Sequence, residues 1–309
     1  MQLSIQGRIA LFLYSLFLAM LLCSIPLRAA DVTGYTILSS TSEVRLAFAA
    51  SDRQGHAIKT LLPADVAVSD NGAIIRHFRS FRPASETPLD LVILLDASDS
   101  VAAQIPREIA EVQDFIANSP WGEHDRISIL AFGGTEPRLI CARNCHAEIA
   151  QFKLASLRAS GATPLYDALV KATDLLKQDR DPQSRPALIL FSDGLDTISI
   201  NSVPDVLQSA QNLQSAIYSV NSRSKKSAPN QGDAILDYLS ANTGGLSFAP
   251  GQDATQLLHS ILEDLHSGYV LTYDLPQQFA GQHRVQLLPT RDPKLQFRSR
   301  LAYNDSSDQ

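Results

Sequence analysis

Hydrophobic positions follow three rhythms along the 309-residue chain. In residues 31 to 87 they alternate or cluster in short runs, at 35–38, 44–49, 66–69 and 74–81, the pattern of short strands. Asp70-Asn71-Gly72 lies between the last two runs and reads as a hairpin turn, because Asn and Gly accept the positive φ that a tight turn needs. Residues 82–88 are polar and proline-rich, which predicts a linker. From Leu89 the apolar runs become continuous. Residues 91–95, 126–132 and 187–191 predict strands buried on both faces of a parallel sheet, joined by shorter strands at 138–141, 216–220 and 246–248. Between them, helical spacing recurs at 105–116, 146–157, from Pro164 past Leu176, 203–214, 233–242 and 254–266. Pro164 suits a first helical turn, where its missing N–H costs nothing.

This alternation predicts an α/β class domain over 88–267, a doubly wound, mostly parallel sheet with helices on both faces. Short strands return at 269–273, 283–288 and 295–301, within a C-terminal segment 268–303. They are expected to pair with those of 31–87 into a small β unit split across the sequence, because a fragment that short leaves its sheet edges open. Residues 304–309 are expected to form a disordered tail.

The first 30 residues follow another logic. Arg8 precedes an apolar run from Ile9 to Ile25, and Pro26, Leu27, Arg28, Ala29 and Ala30 follow, the order of an export signal peptide. Cleavage near Ala29 or Ala30 is one outcome. Retention as a membrane anchor is the other, since the run is long for a signal core and short for a span. Either way the rest of the chain is expected outside the cytoplasm: periplasmic, secreted or at the cell surface. Beyond the leader remain Cys141 and Cys145, close enough for a local disulfide worth about 2 kcal/mol; free thiols, or haem or zinc ligation, are the alternatives.

Formal net charge is −6, and no dense Lys/Arg run occurs, which argues against nucleic acid or anionic lipid as the main ligand. Ligand groups in an open α/β sheet collect outside the carboxyl ends of strands. Asp96-Ala97-Ser98-Asp99-Ser100 follows the first buried strand, Asp193-Gly194-Leu195-Asp196-Thr197 follows the third, and Gly161-Ala162-Thr163 precedes the Pro164 helix. Two carboxylates (Asp96, Asp193) and three hydroxyls (Ser98, Ser100, Thr163) can supply most of an octahedral oxygen shell for Mg²⁺. Asp99, Gly161, Gly194 and Asp196 would stand just behind those ligands. Taken singly, Ser98, Ser100 and Thr163 are also ordinary helix caps, and Asp193-Gly194 an ordinary turn. Asp196 and Asp167 read either as structural or as standing behind the ligands.

Taken together, Asp96-x-Ser98-x-Ser100, Thr163 and Asp193 resemble the metal-ion-dependent adhesion site of von Willebrand factor A-type domains. The runs 161–169, 191–197 and 243–245, with Tyr269-Val270-Leu271-Thr272-Tyr273, look like the exported bacterial members of that family. The resemblance spans roughly residues 31–303. It implies a Rossmann-like sheet of six strands with one antiparallel edge, and a Mg²⁺ or Mn²⁺ ion that engages an acidic residue of a protein partner. Further ions found in some integrin domains need acids soon after the serine motif; Ala103 and Gln104 stand there, so one metal is expected. Asp99 occupies a place often held by a small residue.

Binding rather than catalysis is therefore expected. A phosphatase of the haloacid dehalogenase type would need an acid where Ser98 stands. No nucleophile elbow, His-Glu-x-x-His helix or phosphate-binding Gly-Lys-Ser/Thr loop occurs. A scaffold with a locked, non-exchanging ion is the second reading. Partner choice would lie with the loops at 133–137, 143–146 and 197–202.

Overall fold

The computed structural model describes residues 43–178, 180–224, 228–274 and 281–305. The leader and the run at 35–38 lie outside the described residues. Among those described, no helix is long and apolar enough to cross a membrane.

Six strands form the central sheet: β5 (Leu89–Asp96), β6 (Arg126–Phe132), β7 (Arg138–Cys141), β8 (Arg185–Ser192), β9 (Ala216–Asn221) and β10 (Ser247–Phe248). Their spatial order is β10-β9-β8-β5-β6-β7, parallel except for the antiparallel edge strand β7. The continuous apolar runs are explained by two-sided burial. Leu91, Ile93 and Leu95 face a layer made by α1 (Ile105–Asn118), α2 (Ala147–Leu154) and α6 (Ala254–Ser267). Val92 and Leu94 face α3 (Leu165–Lys177), α4 (Val203–Leu213) and α5 (Gln231–Thr243). The chain leaves β5 toward β6 on one side and β8 toward β9 on the other. Their carboxyl ends thus flank the point where strand order reverses, the place where such sheets bind ligands.

The N- and C-terminal segments do combine. β1 (Glu43–Ser51) pairs with β11 (Tyr269–Asp274) and β13 (Gln296–Ser299), and β11 also pairs with β4 (Ser80–Pro83). A second sheet runs β14 (Ala302–Asp305), β12 (Gly281–Pro289), β2 (Val66–Asp70), β3 (Ala73–Ile75). The hairpin turns at Asn71 (φ 46) and Gly72 (φ 88), the left-handed conformations expected of that pair. Phe48, Phe81, Tyr269 and Phe297 cluster in the core, with Phe48 and Tyr269 stacked 5.6 Å apart. At its other end Asp70, wholly buried, accepts hydrogen bonds from Tyr273 Oη (2.8 Å), His283 Nδ1 (2.6 Å) and Tyr303 Oη.

Several boundaries differ from expectation, two of them because the chain changes sheet within one apolar run. The run 74–81 is two strands in different sheets, and 295–301 breaks between β13 and β14 in the same way. The predicted linker is ordered: Arg82 and Pro83 pair in β4, and a 3-10 turn at Ala84–Glu86 leads straight into β5. Asn304 and Asp305 complete β14 against β12 instead of opening a disordered tail. The helix expected over 146–157 spans only Ala147–Leu154.

Candidate cation site

The loops that follow β5 and β8, and the loop that enters α3, press together at the carboxyl edge. Ala97 N–H donates to the Phe132 carbonyl (2.6 Å), Ser160 N–H to the Ala97 carbonyl (2.8 Å), and Asp99 N–H to the Gly161 carbonyl (3.1 Å). The approach is too close for side chains: a Cβ at Gly133 would stand 2.3 Å from the Ala97 oxygen. Gly194 (φ 77) is similarly pressed against Gly232, where a Cβ would stand 2.1 Å from the Asp193 carbonyl.

Asp96 ends β5 and is wholly buried. Its Oδ1 accepts the Ser98 N–H (3.0 Å), and its Oδ2 accepts the Ser192 hydroxyl (2.7 Å). Ser98 is also buried, its Oγ 3.1 Å from that of exposed Ser100. Asp193 Oδ1 accepts the Leu195 N–H (3.0 Å), which tightens the turn after β8. Thr163 is tied to that turn by paired bonds: its N–H donates to Thr197 Oγ1 (2.7 Å) and its carbonyl accepts the Thr197 N–H (3.0 Å). Gly161 binds the Asp99 backbone, and the Gly194 N–H donates to Ser192 Oγ (3.1 Å). Asp99 itself is exposed.

Capping does not account for the hydroxyls. Ser98 precedes the 3-10 turn at Asp99–Val101 without a side-chain cap bond, and Pro164, not Thr163, is the cap residue of α3. Asp196 does that work, accepting the Leu165 N–H (2.9 Å) and the Ser199 hydroxyl. Asp167 accepts the Asn201 N–H (2.8 Å) and that of Ile200 (3.1 Å), so the 195–201 loop is pinned to the start of α3. Ser192, Thr197 and Ser199 were not singled out from sequence; Ser192 and Thr197 sit inside the motif at 191–197, but their bonds cross between loops and leave no local signature.

Electrostatics favour a cation. Burial pushes the Asp96 carboxyl up to about 6; the Ser98 and Ser192 hydrogen bonds pull the other way, while the nearby Asp193 charge adds to the rise. Glu108 on α1 is a third buried acid, pushed up to about 7 by desolvation, with Asp96 again adding. Ser222 lies close enough to favour its ionised form, yet Glu108 Oε2 and Ser222 Oγ complete no hydrogen bond within the described residues. No group of three or more His, Cys, Asp or Glu side chains suited to a metal occurs among the described residues. The side chains these loops carry are instead two carboxylates, Asp96 and Asp193, and the hydroxyls of Ser98, Ser100 and Thr163, oxygen donors of the type hard cations take. At the sheet's far edge Cys141 and Cys145 form a disulfide, Cα–Cα 5.7 Å.

Residues 91–195 match the family model of the von Willebrand factor type A domain, a span from β5 to the turn after β8 that holds all five residues. The chain contains a von Willebrand factor type A domain. Domains of this class generally mediate protein–protein interactions and commonly bind divalent metal. Over 124 residues the chain is 28% identical to an uncharacterized protein of Mycobacterium tuberculosis, covering 38% of this chain and 19% of that protein, so it spans about a fifth of that relative's length. Similar solved structures include an aerotolerance-related membrane protein of Bacteroides fragilis (15% identity, 57% of this chain, 98% of that one, TM-score 0.44). The manganese-loaded TRAP protein of Plasmodium vivax is another (15%, 76% and 97%, TM-score 0.44). A third is the vWF domain of a pili tip protein of Porphyromonas gingivalis (23%, 36% and 39%, TM-score 0.32).

Proposed function

We propose that this protein is an exported binding module that captures a protein partner through one divalent cation, Mg²⁺ or Mn²⁺, held by Asp96, Ser98, Ser100, Thr163 and Asp193. The observation that carries the reading is the stitching of three loops, distant in sequence, around two buried carboxylates of like charge. When bound, the cation supplies an electrophilic position that attracts a carboxylate from another molecule. Asp96 and Asp193 hold the ion, and the hydroxyls complete its shell without neutralising it. Asp196, Asp167, Thr197 and Ser192 keep those donors in place.

The surroundings suit a protein ligand. Leu195, Ile198 and Ile200 are exposed on the pinned loop, Ile200 almost fully (95%), and offer an apolar shelf beside the site. Export rests on the N-terminal 30 residues, as cleaved signal or anchor. A locked structural ion is the second reading, favoured by the burial of Asp96, Ser98, Thr163 and Asp193.

The test is capture from cell-envelope extract with Mg²⁺ or with EDTA, beside Asp96→Ala. Capture that needs both the ion and Asp96, with the fold intact, supports adhesion. Unfolding on chelation favours the structural ion, and identical capture in all arms removes metal-mediated binding.

A further inference from the structure

The opposite edge of the central sheet, where β8 and β9 begin, is as basic as the carboxyl edge is acidic. A small cavity of about 70 Å³ lies there between the sheet and the β unit. Its lining carries Arg45, Arg180, Arg185, Arg298 and Arg300, against Asp264 as its one carboxylate among the described residues. Arg45 and Arg180 also line a wider cleft of about 550 Å³, together with Arg79 and Arg82.

Most of these guanidinium groups are committed. Arg298 pairs with Asp264, Arg185 donates to Thr87 Oγ1 (2.6 Å) and the Leu265 carbonyl (2.5 Å), and Arg45 donates to the carbonyls of Pro182 and Gln183 (both 2.6 Å). Carbonyls satisfy the donors of Arg45, and Asp181 and Glu43 act on its charge from nearby. Arg300 differs. It is 5% exposed, lies 5.0 Å over the Tyr303 ring, and donates through Nη2 to the Arg45 carbonyl (2.8 Å). Its Nε and Nη1 are buried and make no hydrogen bond within the described residues, and neither does the buried Nε of Arg180. The groups that act on Arg300 are Tyr273, Tyr303, Asp70 and Arg180; Asp70 already accepts from Tyr273, Tyr303 and His283.

A buried guanidinium with unspent donors is costly unless an acceptor reaches it. Burial lowers the Arg300 pKa to about 10, so it stays cationic at neutral pH. Burial lowers the Arg45 pKa and Arg180 lowers it further by like charge, against Asp181 and Glu43, which raise it, while Asp90 acts on Arg180. An oxygen-rich anion answers both deficits, supplying lone pairs to the free donors and negative charge to the cluster.

We propose that this cavity binds one small oxyanion, inorganic phosphate or a carboxylate group, through the unspent donors of Arg300, with Arg180 closing on the same group from the cleft. The site is separate from the cation site and does not depend on it. Calorimetric titration of the full chain with inorganic phosphate, and in a second arm acetate, at matched ionic strength in NaCl, tests it. Saturable one-to-one binding is expected, weakened about tenfold by Arg180→Gln and unaffected by Lys153→Gln, an exposed cation on α2. Stronger binding of acetate would name a carboxylate, such as a chain terminus or acidic side chain, as the natural occupant; stronger phosphate binding would name a phosphoryl group. Arg300→Gln should abolish binding where circular dichroism shows the fold retained. Should it unfold, Arg180→Gln decides alone. Heats no larger than those of chloride for both anions, or affinity unchanged by Arg180→Gln, would overturn the proposal.

Discussion

The two ends of the central sheet carry opposite charge for different structural reasons. At the carboxyl edge, Asp96, Asp193 and the nearby Glu108 crowd buried acids into one place, and the loops that carry the two aspartates are each tied by backbone bonds to the 160–163 loop. At the amino edge, arginines converge from β1, β8, β13 and the segments after α3 and β13, across the seam between domain and β unit. A site built from three compact motifs at strand ends can be found along the chain. One assembled from single residues on many elements cannot.

The comparison can be broken most severely at the β unit. Asp70→Ala leaves His283, Tyr273 and Tyr303 without their shared acceptor and removes a carboxylate that acts on Arg300, so about 3–5 kcal/mol of stability should vanish in urea titration. At the other end, Gly232→Val drives a Cβ into the Asp193 carbonyl; a loss of about 3 kcal/mol is expected, together with cation uptake. A stable Gly232→Val protein that binds the ion normally would show the tight packing of those loops to be unimportant.

Smaller changes sharpen the contrast. Glu108 has a folded-state pKa of about 7, above its usual 4.5, so it adds stability below pH 4.5 that is lost as pH rises through 7. Glu108→Gln should therefore stabilise the metal-free protein by about 2 kcal/mol at pH 8 and change little at pH 4, read from thermal melts. Unchanged pH dependence would mean that the acid is not held buried. Asp196→Ala, which frees Leu165 N–H and the Ser199 hydroxyl, should leave the fold intact and weaken cation affinity about tenfold.

What was legible follows from how local each signal is. Two-sided burial writes itself as continuous apolar runs, so β5, β6 and β8 could be read directly, and Asn71-Gly72 announced its hairpin. The five candidate ligands were legible because each adjoins a strand end or helix start. Strands that change sheet were not: Arg76–Arg79 and Arg300-Leu301 have no composition that marks a corner, and the apolar pattern continues across them. Asp70 looked like a turn residue, and only the pairing of β2 with β12 shows it to be a buried acceptor. Arg300 was silent for the same reason, since its hydrogen-bond acceptor at Arg45 and the cation beside it at Arg180 lie more than a hundred residues away.

The central claim turns on whether this edge takes up one hard cation. Titrating MnCl₂ or MgCl₂ into chelator-treated protein at pH 7.5 should give a single saturable site, lost in Asp96→Ala and, as protons compete for a carboxyl of pKa about 6, weakened about tenfold for each pH unit below 6. Featureless dilution heats with wild-type protein, or the same binding curve from Asp96→Ala, would contradict it.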